Sequence, residues 1–238
     1  VAIENARLFE RERKQRRVSE ALEVAAAAVG STLELDEVLD RILEQVARVV
    51  DGDAFNIMLV EGETARICRW RGYEPHGADD FMATAEFSVP DVPNLSEMSQ
   101  GGQPMVIPDT RAYDGWLDVP IQRWLKSYIG APIKVGGVTA GFLNADSAEP
   151  GRFDAEDARR LAAFADHAAA AIENARLFTE VEKRALEQET LREAALAMTT
   201  ALERDEVVER ILAQLQEVVP YDTASVHLLD NDRLVIVG

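Results

Sequence analysis

Two hydrophobic periods run along this chain, and the switches between them mark its elements. Residues 2–29 contain no Pro or Gly and are rich in Ala, Glu, Arg and Leu, which predicts one long helix. After Gly30 and Ser31, Leu35, Val38, Leu39, Ile42, Leu43, Val46 and Val49 recur at helical spacing, predicting an amphipathic helix over 35–50. The period then falls to two. Residues 54–60 read as a strand, Glu61-Gly62-Glu63 as a turn and 64–71 as the hairpin partner. A short strand is expected at 87–89, a turn-rich stretch over 90–102 with a helix near 95–99, and an apolar run at 104–107. Strands at 128–135 and 141–145 flank the Gly136-Gly137 turn. Asp154 then reads as the cap of a last helix that starts at Ala155 and passes through Phe178. Because no long helix separates these strands, the predicted class is α+β: a mostly antiparallel sheet with helices on one side and long connecting helices at both ends.

The pattern repeats. AIENARLF occupies residues 2–9 and again 171–178, an offset of 169 residues. The offset holds for Asp36-Glu37-Val38 against Asp205-Glu206-Val207 and for Arg41-Ile42-Leu43 against Arg210-Ile211-Leu212. A repeat of this size is a domain, not a solenoid unit. Residues 1–17 therefore read as the connector helix of a preceding repeat, 18–187 as one complete domain, and 188–238 as the start of a third copy, with helices over 190–218 and strands at 223–229 and 233–237. The chain reads as cut from a longer array. A seven-residue seam joins Leu8 and Leu22 to Val29, and its repeat joins Leu177, Val181 and Leu191 to Met198. Both seams have apolar ends and polar middles. They leave open a paired helix that holds a homodimer and an exposed linker that pairs with nothing.

Charge and cysteine narrow the function classes. The net charge of −18, from 43 acidic and 25 basic residues, opposes binding to nucleic acid or anionic lipid. The basic run Arg11 to Arg17 lies on a mixed-charge helix and reads as a solvated face. Cys68 is the only cysteine, which excludes an internal disulfide and any multi-thiolate metal site and fits a reducing, cytoplasmic setting. No apolar run is long enough to span a membrane, and the start carries no secretory pattern. His76, His167 and His227 are scattered without metal-ligand spacing, phosphate-loop glycines are missing, and no nucleophile–base set emerges. Cys68 on a strand reads as packing. No catalytic residue, metal ligand or cofactor is nominated.

The aromatic residues point to a site. Trp70, Phe81, Phe87, Tyr113, Trp116, Trp124 and Tyr128 crowd between positions 70 and 128, and all three tryptophans fall there. Large flat walls with a few polar groups make a ligand cavity. Candidate lining residues are Trp70, Phe87, Tyr113, Trp116, Trp124 and Tyr128, with Asp109, Thr110 and Asn144 supplying polar atoms. The alternative reading is that these rings simply plug the sheet.

The stretch SYIGAPIKVGGVTAGF at 127–142, followed by Leu143-Asn144, Phe153, Asp157 and AIENARLF, resembles the second half of a GAF domain. LELDEVLDRILEQVARVV and FNIMLV upstream resemble the first half. The resemblance implies a twisted antiparallel sheet of five or six strands, helices on one face, and ligand-enclosing loops and short helices on the other. Members occur in tandem in cytoplasmic signalling proteins and bind cyclic nucleotides, tetrapyrroles, haem, small metabolites or nothing. The cyclic-nucleotide pattern is matched at Asn144, Phe153 and Asp157 but broken at Ala145 and Ala158, so the lysine that would pair with Asp157 is missing. Cys68 does not match a bilin-attachment cysteine, and the family's methionine sulfoxide reductases use several cysteines where this chain has one.

Together these features predict a non-catalytic sensory or regulatory input module of a multidomain signalling protein, a sensor histidine kinase in a two-component system being the first expectation. A small-molecule ligand would bias the pocket loops, and connector helices would relay the change to flanking domains. The alternative is a ligand-free module that holds a dimer in register; an enzyme would need a site that the sequence does not nominate.

Overall fold

The computed structural model describes residues 2–31, 34–219, 223–230 and 233–236. The chain divides into two compact units, Val1–Phe178 and Thr179–Gly238.

In the first unit, helix α1 (Ala2–Ser31) and helix α2 (Leu35–Val49) precede the hairpin β1 (Ala54–Glu61) and β2 (Thr64–Arg71). A 3-10 turn at Glu74–His76 and helix α3 (Asp79–Thr84) lead to β3 (Glu86–Ser88), helix α4 (Pro93–Gly101) and β4 (Met105–Ile107). A second 3-10 turn at Pro120–Gln122 precedes β5 (Ser127–Val135), β6 (Val138–Ser147) and the start of helix α5 (Ala155–Val218). The six strands form one antiparallel sheet in the order β3-β2-β1-β6-β5-β4. The predicted class is thus the observed one. Most predicted elements lie within two residues of those found; α3 is an addition, since Phe81 and Met82, side by side after two aspartates, carry no readable helical period.

Strand alternation builds two cores. Phe55, Ile57, Ile129, Ala131, Ile133, Leu143 and Ala145 face the helices, where Leu39, Ile42, Val46, Leu161 and Phe164 cover them. Met58, Ala65, Ile67, Tyr128 and Phe142 face the other way, beneath α3, α4 and the connecting loops, where Met82, Leu95, Met98 and Leu125 pack. Helix α5 is begun by Asp154, whose Oδ1 accepts from the backbone N–H of Glu156 at 2.7 Å and of Asp157 at 2.9 Å, as the sequence predicted. Its buried stripe, Ala158, Leu161, Phe164, Ala165, Ala168 and Ala171, keeps helical spacing. Helix α1 buries Ala21, Ala25 and Ala28, a small-residue stripe offset from the predicted seam. Leu22 is half-buried against this core, while Leu8 is exposed.

The second unit holds the remainder of α5 and the hairpin β7 (His227–Asp230) and β8 (Arg233–Ile236). Leu177 at the end of the first unit, and Val181 and Leu191 in the second, are exposed. The predicted strand at 223–229 begins four residues late. Its counterpart in the first unit, 54–57, pairs with β6 and the end of β2, and neither neighbour has an equivalent among the described residues. Val237, and the side chain of Met198, lie outside what the structure describes.

Candidate functional site

Local sequence sets the geometry beneath the loops. In β1 and β6, Asn56 and Asn144 are register partners, and Asp146 stands two residues further along the same face. Gly130 on β5 lies opposite Asn144. A Cβ at Gly130 would collide with the Tyr128 hydroxyl, so its absence lets that ring lie along the strand and reach Asn144. Gly72, at φ +81°, turns the chain after β2 where a side chain would strike the Asp53 carbonyl, and delivers Tyr73 into the core.

These residues form one continuous buried network. The Tyr128 hydroxyl donates to Asn144 Oδ1 at 2.6 Å. Asn144 Nδ2 donates to Asn56 Oδ1 at 2.8 Å, and Asn56 Nδ2 to the Tyr73 hydroxyl at 2.7 Å. Tyr73 donates in turn to Asp146 Oδ2. Every donor points along the chain toward Asp146, and all five side chains are buried. Burial pushes the Asp146 carboxyl up to about 7, opposed by the Tyr73 hydrogen bond. Burial and the nearby Asp146 also push both tyrosine hydroxyls up, so they stay neutral donors.

Above this network lies a cavity of about 50 Å³, between the sheet and the segments carrying Val92, Asn94, Leu95 and residues 116–125. Asn56, Asn144, Asp146 and Tyr128 form its polar floor; Met58, Phe87, Trp116, Leu117 and Leu125 supply apolar walls. The Trp116 and Tyr128 rings meet edge-to-face at 5.4 Å. The space holds a few waters or a very small molecule as it stands, well below the hundreds of cubic ångströms of a typical ligand site.

Of the nine residues nominated from sequence, Phe87, Trp116, Tyr128 and Asn144 meet at this cavity. The other five lie elsewhere. Trp70 donates its indole N–H to Asp79 Oδ1 at 3.0 Å on the outer part of the sheet. Asp109 is held by Arg111 at 2.8 Å, and the Thr110 hydroxyl donates to the Leu125 carbonyl at 2.9 Å, tying the loop. Tyr113 donates to Glu97 at 3.0 Å, and Trp124 stacks on His76 with ring centroids 3.7 Å apart. Asn56, Tyr73, Asn94 and Asp146 were not nominated. Asn56 and Asp146 carried a signal: Asn56 is the one polar residue on its face of β1, and Asp146 follows Asn144 on a face of β6 that otherwise carries apolar side chains. Tyr73 carried none, because its approach depends on the turn at Gly72.

Cys68 is part-buried, its Sγ 3.3 Å from the Ile57 carbonyl, and burial pushes its thiol up to about 12, which leaves it a packed, protonated group. Asp157 pairs with Arg160 at 2.7 Å. That ion pair occupies the carboxylate that the cyclic-nucleotide pattern would give to a lysine. Among the described residues, no group of three His, Cys, Asp or Glu side chains is placed to hold a metal ion, and no helix is long and apolar enough to cross a membrane.

An antiparallel sheet with helices on one face and a polar-floored cavity beneath loops on the other defines an α+β module with a pocket on its loop-covered face. The family described as "GAF domain" matches residues 32–173, and the chain belongs to that family. The GAF domain of a phosphoenolpyruvate-protein phosphotransferase from Coxiella burnetii superposes with a TM-score of 0.61 at 15% identity, over 69% of this chain and 98% of that one. A putative GAF sensor protein from Burkholderia vietnamiensis gives 0.58 at 20% identity, over 68% and 98%. A free methionine-R-sulfoxide reductase from Neisseria meningitidis, solved with its substrate, gives 0.57 at 18% identity, over 67% and 90%. No curated protein matches the chain. The fold and family are those of a signalling or regulatory module.

Proposed function

We propose that this chain is the tandem-GAF region of a cytoplasmic multidomain signalling protein, with a sensor histidine kinase as the output we assign first. In this reading residues 18–187 are the complete non-catalytic input domain, 1–17 belong to a preceding repeat, and 188–238 begin a following one. A small molecule enters the cavity over Asn144 and Asp146, and its occupancy biases the 116–125 wall and the connector helices. The observation that carries this reading is the cavity itself: a buried polar network facing free space beneath loops, where plain core packing would place apolar side chains. A ligand acts only through different affinity for two arrangements of the helices. Native mass spectrometry of gently purified protein should reveal an extra mass that is lost on denaturation. Paired spin labels on α5 should change separation when that molecule is restored; unchanged distances at saturation would sink the relay.

A second reading rests on a separate observation. The cavity is small, and Leu8, Leu177, Val181 and Leu191 are exposed. A ligand-free module that pairs these helices in a homodimer explains both. It predicts a clean apo dimer that Leu177→Glu or Leu191→Glu weakens.

A further inference from the structure

The charge pattern of the cavity narrows its ligand. Among the described residues, Asp146 is the only carboxylate lining it, and no Lys, Arg or His does. A buried carboxylate ordinarily has a cationic partner within the protein. Among the described residues its one side-chain donor is Tyr73, which leaves acceptor capacity on the carboxyl. The donor chain from Tyr128 through Asn144 and Asn56 also runs toward this carboxyl. An anion entering the cavity would meet Asp146 with no compensating positive charge. A cation would meet a carboxylate below and the aromatic side chains of Phe87, Trp116 and Tyr128 around it, surroundings that favour organic ammonium ions. The net charge of −18 adds long-range attraction of the same sign.

We infer that the cavity takes a small organic ammonium ion, its N–H groups donating to Asp146 and its alkyl surface packed against Trp116. This rests on the reading of the cavity as a ligand site. The cavity's volume selects a headgroup-sized cation and disfavours a nucleotide or tetrapyrrole. Ion pairing also accounts for the placement: a cation would hold ionised a carboxyl that burial otherwise drives toward its neutral form.

The test is a titration of the whole chain, read by the Trp116 indole N–H resonance, with ethylammonium, acetate and ethanol as probes of closely similar size. Ethylammonium should move the resonance saturably, and Asp146→Asn should weaken it about tenfold or more, the loss expected for a charge-assisted hydrogen bond. The Trp70 indole resonance, hydrogen-bonded to Asp79 away from the cavity, should keep its position in Asp146→Asn and so guards against a folding defect in that variant. Acetate or ethanol binding as tightly as ethylammonium, or an unchanged Asp146→Asn affinity, overturns the ammonium assignment while leaving a ligand cavity. No movement with any probe overturns both.

Discussion

The two units contain the same sequence pattern under opposite conditions. Val38, Ile42 and Val46 in α2 are buried, whereas Val207, Ile211 and Leu215, each 169 positions later, are exposed, Ile211 at 51% against 0% for Ile42. In the first unit α2 is covered by α1 and by the sheet. Among the described residues of the second unit's equivalent stretch, Val208 alone is buried. Amphipathic periodicity therefore forms the helix in both places, but burial needs a sheet to pack on. Two strands do not supply it: a lone hairpin is marginal in water, and the six-stranded sheet of the first unit draws β4, β5 and β6 from far along the chain.

The largest effect expected from breaking this comparison is at Ile42. Ile42→Ala should destabilise the first unit by about 2–5 kcal/mol, the cost of a core cavity, while Ile211→Ala should stay within about 0.5 kcal/mol. Tryptophan emission during urea unfolding reads the first unit alone, because Trp70, Trp116 and Trp124 all lie there, and far-UV dichroism reads both. Equal losses would mean that the second unit acquires a comparable cover in solution.

The next effect sharpens the contrast between the two faces of the sheet. Asp146 is held at about 7 by burial, above its ordinary carboxylate value, so between those values the folded domain binds a proton that the unfolded chain does not. Stability from this group rises as pH falls from above 7 and levels off below the unfolded value. The charged or titratable side chains near it are Tyr73 and Tyr128, both pushed up and neutral throughout. Asp146→Asn should therefore flatten the melting temperature between pH 5 and 8 relative to the parent, and a parallel profile would refute the buried-acid account. Tyr128→Phe is expected to cost about 1–3 kcal/mol, since it strands the Asn144 acceptor in the core, and chemical denaturation measures it. Smallest of all, Leu177→Glu should leave monomer stability within about 0.5 kcal/mol, because the side chain is exposed. If the helices pair, it should nonetheless weaken self-association in sedimentation.

The site was legible in part, and the particular residues explain why. Phe87, Trp116, Tyr128 and Asn144 stood out by type and crowding. Trp70 and Trp124 stood out equally but point elsewhere, one to Asp79 and the other to His76, because aromatic type alone does not encode direction. Asp146 was hidden among 43 acidic residues and distinguished only by its strand face.

The sequence alone determined the helix and strand periods, the α+β class, the 169-residue repeat and the cap at Asp154, all local or self-similar features that short-range sterics and burial patterns encode. Tertiary structure decided which polar side chains meet. The pairing of Asn56 with Asn144 spans 88 residues, that of Tyr73 with Asp146 spans 73, and both exist only because strand register and the turn at Gly72 bring them to one buried face. Register is set by packing of the entire sheet, so no local window of sequence contains it.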